Sequence, residues 1–357
     1  MLMKTATHLF PQVTAFANLF RGFHEASHGK REKPEVQAFE YHLEERLWEI
    51  KEELEAERYV WGKYRSFWIY DPKKRLIQAA PFRDRIVHHA LYHVLEPLCE
   101  RSYIRDSYAC LRGRGTLAAV QRYEEFVRQV GGRGYVLKCD ISQYFASVDH
   151  GVLQGLLRRK IRDEKLLRLL GSLIATGGEG AGKGMPIGNL TSQLFANVYL
   201  DPFDHFVKEG LRRKHYVRYM DDWVIVGTEK AELWQVLEET WAFLSHTLRL
   251  TLNPHRIALV PLTHGVDFLG YVIYPDGYKR IRRRNVTNVR RRLEKLESGY
   301  EQGTITFAHA RGSIASWLGL AKHASAFRLS RELFEKHDVR NIGKRLLVKM
   351  VGEKKAR

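Results

Sequence analysis

The sequence predicts an α/β fold in which an antiparallel sheet combines with amphipathic helices. Two β-prone runs, at residues 216 to 218 and 223 to 227, enclose a four-residue segment and predict a hairpin. A third β-prone run ends at Asp140, and apolar residues recur at helical spacing over residues 34 to 58 and 231 to 248. Helical and β-prone stretches therefore alternate along the chain.

The first 60 residues predict an N-terminal helical extension. Residues 1 to 33 are weakly patterned, and we expect them to be partly irregular. From Pro34 onward, apolar residues follow one another at spacings of three and four, which is typical of an amphipathic helix: Val36, Phe39, Leu43, Leu47, Ile50 and Leu54. Stripes of this kind are usually core, so packing against the body of the protein is favoured over a dedicated partner-binding helix.

Further helices follow in chain order. Asp84 predicts the N-cap of a helix that ends at Pro97. Another helix is expected to begin near Asn189 and to carry apolar side chains into the core, and residues 231 to 248 predict a third. Residues 266 to 274 are β-rich, and beyond Gly277 the chain becomes strongly basic.

Paired carboxylates stand between the two strands of the predicted hairpin, in Tyr219-Met220-Asp221-Asp222. An Asp-Asp pair between strands is usually a polar turn. Here, however, strong β formers run directly into and out of the pair, with no Gly, Pro or Asn to make a conventional two-residue turn. Together with Asp140 at the end of another strand, these carboxylates are suited to two hard cations and to phosphoryl transfer.

The chain resembles the reverse transcriptases at these positions. That family has an Asp followed five positions later by an aromatic residue, and a Tyr-x-Asp-Asp hairpin, which Asp140, Phe145 and residues 219 to 222 match. Between them, where most members have Gln-Gly-x-x-x-Ser-Pro, Ile187 replaces the Gln and Gln193 replaces the Pro. This double departure is similar to the branch found in diversity-generating retroelements. The resemblance spans roughly residues 60 to 280.

The resemblance implies a polymerase right hand. Fingers and palm would occupy residues 61 to 277, and a basic helical thumb with a basic tail would occupy residues 278 to 357. It also implies two Mg²⁺ ions, with Mn²⁺ as an alternative, held by Asp140, Ile141, Asp221 and Asp222. Asp140, Asp221 and Asp222 would be the catalytic residues.

The remaining site residues are also implied by the resemblance. Fingers cations would meet the incoming triphosphate, with Arg75 preferred over Lys74 and Arg83. Phe145 would act as a steric gate against the ribose 2′-hydroxyl, and the nucleotide site would also include Ile187, Gly188 and Gln193. The primer grip would consist of Phe268, Leu269, Gly270 and Tyr271. Thumb arginines would bind backbone phosphates: Arg282, Arg283, Arg284, Arg290 and Arg291.

Two other patterns indicate no site of their own. Residues 177 to 184 fit a phosphate-binding loop until Gly184, which stands where Ser or Thr should be. His89 and His93 are one helical turn apart, next to His88, but no third ligand lies nearby in sequence, and zinc sites need three or four. We expect a flexible glycine-rich turn and histidines that face packed helices or RNA.

Composition agrees with a nucleic-acid enzyme. Lys and Arg number 59 against 41 acidic residues, a formal net charge of +18, which favours a polyanionic partner; an anionic membrane surface and a ribosomal partner are alternatives. The sequence shows neither a membrane-spanning run nor a signal-peptide pattern, and this predicts a cytoplasmic protein. The three cysteines form no Cys-x-x-Cys pair and are expected to be buried thiols.

The predicted function is RNA-templated synthesis of error-prone cDNA, because an apolar Ile187 cannot make the hydrogen bond that a Gln would offer near the nucleotide. Partners would be template RNA, cDNA, deoxynucleoside triphosphates and a basic ring-forming accessory protein. A group II intron-like or retron-like enzyme of ordinary fidelity is an alternative, as is an inactive RNA-binding maturase-like protein. A viral RNA polymerase is disfavoured by the aromatic gate. No nuclease or integrase segment is expected after the thumb.

Overall fold

The protein is described here by a computed structural model that covers residues 6 to 70, 74 to 178 and 182 to 344. Its chain divides into two compact units. The first consists of Met1–Ala119, Lys138–Ile225 and Trp234–Ala258, and the second of Val120–Leu137, Val226–Leu233 and Leu259–Arg357. The basic tail predicted at the C-terminus lies, from residue 345 onward, outside the described residues.

The N-terminal part of the first unit is helical. It contains α1 (Phe10–Thr14), α2 (Phe16–Ser27), α3 (Pro34–Glu40) and α4 (Leu43–Glu55). Residues 6 to 33 are thus partly irregular as expected, because residues 28 to 32 form turns, but α1 and α2 make more of this segment helical than its weak pattern indicates.

The single helix predicted for residues 34 to 58 is also wrong, because it is interrupted at Tyr41 and His42, between α3 and α4. The two halves differ in their contacts: α3 lies against α5 (Phe82–Glu100) and α4 lies against α2. Phe39 of α3 contacts Phe82 edge-on, with ring centroids 5.3 Å apart, and also stacks on Phe23 of α2, whereas Trp48 of α4 contacts Phe16 of α2. The bend between the halves thus lets α3 reach α5 while both halves contact α2.

A two-stranded hairpin precedes α5. Strands β1 (Arg65–Ile69) and β2 (Arg75–Ala79) are antiparallel, with Trp68 opposite Leu76. Helix α5 begins at Phe82 rather than at Asp84 and continues past Pro97, so both predicted ends are wrong. Asp84 is buried and accepts hydrogen bonds from the Tyr59 hydroxyl and the Gly62 amide, at 2.7 and 2.8 Å, instead of capping the helix.

A five-stranded sheet carries the predicted carboxylates. Its strands run in the order β3 (Ser107–Tyr108), β5 (Tyr216–Tyr219), β6 (Asp222–Gly227), β4 (Tyr135–Asp140) and β7 (Ala258–Pro261). Strands β5 and β6 form the expected antiparallel hairpin, with Tyr219 opposite Asp222. The sheet is mixed, because β3 pairs in parallel with β5.

Most of the helices between residues 140 and 250 belong to the first unit. Helix α10 (Leu190–His205) begins after Asn189 as predicted, and α11 (Lys230–Leu248) begins one residue before its predicted start. Helices α7 (Tyr144–Ser147), α8 (His150–Lys160) and α9 (Glu164–Ala175) also lie in the first unit, whereas α6 (Thr116–Gln129) lies mostly in the second. Large side chains fill the core beneath the hairpin, including the fully buried Tyr199, Phe203, Tyr216 and Trp223.

Besides most of α6, the described part of the second unit contains a small sheet and three further α-helices. Strands β8 (Val266–Phe268), β9 (Tyr271–Ile273) and β10 (Lys279–Ile281) are antiparallel neighbours in the order β10-β9-β8. Helices α12 (Arg283–Glu301), α13 (Phe307–Ala321) and α14 (Phe327–Lys336) enclose an apolar core built around Leu293, Ile314, Trp317 and Phe334.

Two sequence predictions concern the cysteines and membrane-spanning segments. Cys99 and Cys139 are buried free thiols as predicted, but Cys110 is exposed, so that part of the prediction is wrong. Among the described segments of the chain, none of the helices has the length and apolar character needed to cross a bilayer.

Candidate functional site

The three predicted catalytic carboxylates lie on adjacent strands of the mixed sheet. Asp140 is the last residue of β4, Asp222 is the first residue of β6, and Asp221 lies in the turn that precedes it. Strand β4 is the neighbour of β6, and the Ile141 amide donates to the Asp221 carbonyl at 3.3 Å. Asp140 and Asp221, which are 81 positions apart in sequence, therefore lie at the same end of the β4–β6 strand pair.

The turn that carries Asp221 has an unusual backbone. Because Tyr219 is opposite Asp222, the hairpin closes through only two residues, and Met220 adopts a left-handed conformation with φ of 57°. A side chain other than Gly, Asn or Asp in this region costs on the order of 1–3 kcal/mol and persists only where surrounding contacts determine it. The conformation is consistent with a turn whose sequence is selected for its carboxylates rather than for turn preference.

Arg218 supplies one of those contacts. Its Nη1 donates to the Met220 carbonyl at 3.0 Å, and its Nη2 donates to Ser107 Oγ at 2.8 Å. Its Nε and Nη2 form a two-point ion pair with Asp204 at 2.7 and 2.6 Å, and both side chains are completely buried. Burial lowers the pKa of Arg218, but the adjacent Asp204 carboxylate outweighs it and raises that pKa. The turn therefore rests on a charged group that stays protonated.

Asp140 is fixed from its other side by the chain that leads into β7. The Asn253 amide donates to the Asp140 carbonyl at 2.9 Å, and the Ser142 amide donates to the Thr251 carbonyl at 2.8 Å. These two bonds lie on either side of Ile141 and Leu252, which face each other as a non-hydrogen-bonded antiparallel pair. The Ile141 carbonyl is therefore not used in this pairing. The backbone around the first carboxylate is thus held on both sides.

Two cations face the carboxylates. Arg256 Nη1 lies 3.2 Å from Asp140 Oδ2, and Lys138 Nζ lies 4.0 Å from Asp222 Oδ1. Neither residue was predicted from the sequence. Arg256 lies 116 positions from Asp140, in a loop without a distinctive pattern, and Lys138 looks like an ordinary strand residue.

The donor set suits hard divalent cations, which prefer carboxylate and carbonyl oxygens. Among residues 6 to 70, 74 to 178 and 182 to 344, only one group of three His, Cys, Asp or Glu side chains has its ligand atoms all within 4.8 Å of one another. That group does not include the three aspartates. The three aspartate carboxylates therefore stand farther apart than that, while two of them pair with cations. We infer that divalent ions held by Asp140, Asp221 and Asp222 would take over the neutralising role of Arg256 and Lys138.

Phe145 lies five residues after Asp140, and its backbone is hydrogen-bonded to the segment that leads to Ile187. Phe145 follows Tyr144 at the start of α7, is half-buried, and accepts a hydrogen bond through its carbonyl from the Met185 amide at 2.7 Å. The Gly184 amide donates to the Val148 carbonyl at 2.8 Å. The two predicted nucleotide-site segments, at residues 145 and 187, are therefore tied together two residues before Ile187.

Ile187 and Gly188 also contact the hairpin of β1 and β2, here named the fingers hairpin because it lies in the predicted fingers. The Gln78 amide of β2 donates to the Ile187 carbonyl at 2.9 Å. Asn189 accepts from the Ala80 amide at 3.2 Å and donates to the Gln78 carbonyl at 3.1 Å. Gly188 has a φ of 118°, and a Cβ there would lie 2.8 Å from Ile77 Cγ2, so this position requires glycine. Gln193 is half-buried in the first turn of α10.

The three fingers cations have different surroundings. Arg75 is exposed at the start of β2, whereas Lys74 lies over the Trp68 ring with its Nζ 4.5 Å from the centroid. Arg83 is not on the hairpin: it lies on α5, pairs with Glu53 at 2.7 Å and covers the Tyr59 ring. Arg75 therefore stays the preferred candidate among the three, and its contact with a triphosphate stays a prediction.

The predicted primer grip lies in the second unit and forms a tight hairpin turn. Phe268 and Tyr271 are opposite each other and buried, with Phe268 against Tyr123 at a centroid distance of 5.7 Å. The Tyr271 hydroxyl donates to the Leu320 carbonyl at 3.0 Å. Leu269 and Gly270 both have positive φ, 49° and 95°, and form the turn itself. Two of the four residues thus belong to the core of their unit.

The predicted phosphate-binding arginines follow this hairpin. Arg282 pairs with Asp267, whereas Arg283, Arg284, Arg290 and Arg291 are exposed on α12. Val289, Leu293 and Leu296 face the core from the same helix. The helix is therefore basic on its solvent side and apolar on its packed side.

The two patterns set aside in sequence have identifiable surroundings. His88 is buried, its Nδ1 lies 2.6 Å from Thr191 Oγ1, and burial lowers its pKa to about 3. Residues 179 to 181 of the glycine-rich stretch lie outside the described residues. Lys183 bridges to Asp149 in an extended segment, and the next helix begins only at Leu190, so this lysine does not lie at a helix N-terminus.

A family model described as reverse transcriptase (RNA-dependent DNA polymerase) matches residues 70–273. This is more than half of the chain, and the chain therefore belongs to the reverse transcriptase family. The predicted α/β fold class with the polymerase right hand is confirmed by this match.

Several curated proteins are similar to this chain. Protein YkfC of Escherichia coli (strain K12) is 28% identical over 249 residues, which are 57% of this chain and 65% of YkfC. The group II intron-encoded protein LtrA of Lactococcus lactis subsp. cremoris is 28% identical over 141 residues, 38% of this chain and 23% of LtrA. Nuclear intron maturase 2 of Arabidopsis thaliana is 30% identical, with 37% and 20% covered. The chain thus spans less than two thirds of the length of each of these relatives.

Among solved structures, a telomerase from Candida albicans in complex with a fragment of telomeric RNA is similar at 13% sequence identity with a TM-score of 0.49. The similarity covers 82% of this chain and 61% of the telomerase chain. An apo telomerase from Candida tropicalis has a TM-score of 0.49 and 9% identity, covering 76% of this chain and 61% of that one.

Proposed function

We propose that this protein is an RNA-directed DNA polymerase that extends a primer with deoxynucleoside triphosphates on an RNA template. The observation that carries the proposal is the position of Asp140, Asp221 and Asp222 at one end of adjacent strands, inside the segment that defines the family. Oxygen ligands held on rigid strands are what in-line phosphoryl transfer requires.

The protein's own residues would position the reactants. Divalent cations, two Mg²⁺ ions by this proposal, would supply a lowered pKa at the primer 3′ hydroxyl and neutralise the triphosphate when bound to Asp140, Asp221, Asp222 and the Ile141 carbonyl. Arg75 would pair with the triphosphate from the fingers hairpin. Phe145 would lie under the sugar, where its ring leaves no room for a 2′-hydroxyl.

Asp221→Asn tests this activity. The substitution keeps the shape of the side chain and removes one anionic ligand, so we expect DNA synthesis to be lost while the melting temperature is unchanged or slightly raised through reduced charge repulsion. Primer extension with deoxynucleotides on an RNA template measures the first quantity and thermal unfolding the second. Asp276→Asn, in an exposed turn of the second unit, is the matched control and should retain synthesis. Synthesis by Asp221→Asn within tenfold of wild type contradicts the proposal.

We further propose that synthesis is error-prone, with misincorporation at template adenines, as in diversity-generating retroelements. Ile187 supports this, because its apolar side chain cannot hydrogen-bond to the nascent pair, whereas its backbone is fixed to the fingers hairpin through Gln78. Without that bond a correct pair loses about 1–3 kcal/mol of its advantage over a mismatch. The same resemblance implies a basic ring-forming accessory protein as partner, which co-purification tests.

Ile187→Gln decides the fidelity proposal. Sequencing of cDNA from wild type and variant should show frequent errors at template adenines for the wild type and fewer for the variant, with synthesis retained. Ile77→Gln, an apolar-to-amide change on the neighbouring strand β2, is the control for general perturbation. Equal error spectra from wild type and Ile187→Gln would assign infidelity to other residues, with Arg75 the next candidate.

A second candidate is a polymerase of ordinary fidelity that works with an intron RNA. The observation that favours it is the similarity to an intron-encoded protein and an intron maturase. The fidelity measurement separates the two, because this candidate predicts few errors at template adenines in the wild type. A family member that has lost catalysis and only binds RNA would give no cDNA at all.

A further inference from the structure

Three potential metal ligands meet away from the candidate polymerase site, where α2 packs on α5. Glu25 Oε2 lies 2.8 Å from His93 Nε2 and 3.2 Å from His89 Nδ1. All three ligand atoms lie within 4.8 Å of one another, and no other trio of His, Cys, Asp and Glu side chains in the described parts of the chain does so. The third ligand that sequence spacing lacked is supplied by a residue 64 positions before His89.

Hydrogen bonds determine which nitrogen of His93 is available. The Asn18 amide nitrogen donates to the carbonyls of Gln12, Val13 and Ala90, at 3.0, 3.2 and 3.1 Å, which fixes the orientation of that amide. Its Oδ1 therefore accepts from His93 Nδ1, 2.8 Å away. The proton of a neutral His93 ring is then on Nδ1, and the lone pair is on Nε2, directed at Glu25. Metal-binding histidines are commonly held by a second-layer acceptor in this way.

The distances between these groups favour a cation between them. A carboxylate oxygen and an imidazole lone pair 2.8 Å apart repel unless a proton or a metal ion lies between them.

We propose that Glu25, His89 and His93 bind a divalent metal ion of the zinc type and that this ion fastens α2 to α5. Two imidazoles and one carboxylate suit zinc, with a fourth position left for water. Ligands about 2.0–2.1 Å from a tetrahedral ion stand about 3.3–3.4 Å apart. The pair at 3.2 Å already meets this spacing, and the pair at 2.8 Å would open by about 0.5 Å.

The surrounding packing supports a fastening role. Gly22 lies one turn before Glu25, and a Cβ there would be 2.7 Å from the Ile86 carbonyl, so the two helix backbones are in close contact beside the site. Arg21 pairs with the other carboxylate oxygen, Glu25 Oε1, at 3.1 Å and leaves Oε2 for the metal. The His93 side chain is only 4% exposed, which limits its alternative conformations.

Zinc binding to the full-length protein tests the proposal. After chelator treatment and dialysis, the protein is titrated with Zn²⁺ against a chromophoric competitor, in the presence of excess Mg²⁺ to occupy hard-oxygen sites. We expect one zinc ion per chain and a zinc-dependent rise in melting temperature. Glu25→Gln and His93→Gln should each weaken binding at least tenfold and abolish the rise. His28→Gln, an exposed histidine just after α2, is the matched control and should bind like wild type.

Two results would overturn the proposal. The first is zinc binding by wild type no tighter than by His93→Gln, which would mean that a proton alone links these groups. The second is an X-ray absorption spectrum of the zinc-loaded wild type without two imidazole ligands. The second measurement needs no variant, so it decides the matter even if a substitution prevents folding.

Discussion

At the scale of single residues, the catalytic turn depends on a buried ion pair beneath it. Arg218 has no exposed surface, pairs with Asp204 through two bonds and donates to the carbonyl of Met220. A lysine keeps the positive charge but lacks the planar fork that reaches Asp204, Ser107 and the Met220 carbonyl at once. The pair thus links the packing of α10 to the position of Asp221.

We therefore predict that Arg218→Lys destabilises the protein by about 1–3 kcal/mol, because buried acceptors lose their donor, and lowers kcat for DNA synthesis more than it changes KM. Arg218→Met should cost more, about 3–5 kcal/mol, since Asp204 is left buried without a cation. Denaturant unfolding and steady-state primer extension measure these effects. Arg168→Lys, in an exposed pair with Glu57, should change neither quantity. If Arg218→Lys leaves stability and kcat unchanged, the supporting role is wrong.

Phe145 gives a second prediction at this scale. Its ring is half-buried beside Tyr144, with centroids 5.6 Å apart, and its backbone is bonded to Met185. Phe145→Ala removes the ring without disturbing that backbone bond, and we expect ribonucleotide incorporation relative to deoxynucleotide incorporation to rise about tenfold or more. Competition between the two sugars in primer extension measures the ratio. Tyr41→Ala, at an exposed aromatic residue, should leave it unchanged. An unchanged ratio in Phe145→Ala would place the gate elsewhere.

Positions set by local sequence patterns could be predicted, whereas contacts between residues far apart in sequence were missed. Asp140 and the Asp221-Asp222 pair could be predicted because strand patterns surround them directly. Arg218 looked like an ordinary strand residue, and its partner Asp204 lies 14 positions away in a helix. Glu25 was missed for the same reason, because only the packing of α2 on α5 brings it to His93. Pairings of this kind depend on tertiary contacts, which one-dimensional spacing does not contain.

At the scale of secondary-structure elements, the sequence predicted whether a segment is helix or strand better than where that segment begins and ends. The hairpin of β5 and β6 and helices α10 and α11 lie where hydrophobic period and turn chemistry predict them. Helix α5 overran both predicted ends, since Asp84 is used to fix the loop of residues 59 to 62 and the helix continues for three residues past Pro97, although Pro97 cannot donate an amide hydrogen bond to the preceding turn. The break between α3 and α4 has no Gly or Pro, so only tertiary packing explains it.

Asn189 joins the end of the fingers hairpin to α10 through two hydrogen bonds. Asn189→Ala would leave the buried Ala80 amide without its acceptor, at a cost of about 1–3 kcal/mol. We expect this variant to loosen β2 and to raise KM for deoxynucleotides several-fold, because β2 carries Arg75. Steady-state kinetics and thermal unfolding measure both effects. Gln129→Ala, an exposed amide on α6, is the control, and equal KM values for the two variants would contradict the prediction.

At the scale of the whole molecule, the excess of positive charge has two separable consequences. A formal net charge of +18 attracts RNA and DNA from a distance, wherever the charges lie. Direct phosphate contacts, in contrast, release counterions one by one and set the slope of affinity against salt. The exposed arginines of α12 are candidates for such contacts, because the opposite side of that helix is committed to the core.

The last prediction separates these two effects with variants of equal charge. Arg290→Gln with Arg291→Gln removes two exposed arginines from α12, and Arg328→Gln with Arg331→Gln removes two from α14, where each pairs with a glutamate one turn later. Both double variants lower the net charge by two. If α12 contacts phosphates, the slope of log affinity against log salt should fall by about 0.7–0.9 for each lost contact in the first variant and stay unchanged in the second. Fluorescence anisotropy with a labelled template-primer between about 50 and 200 mM salt gives both slopes. Over this range the affinity of a protein with several phosphate contacts falls roughly 10³-fold, so the slopes are measurable. Identical slopes in the two double variants would mean that α12 contributes only through net charge and does not grip the backbone.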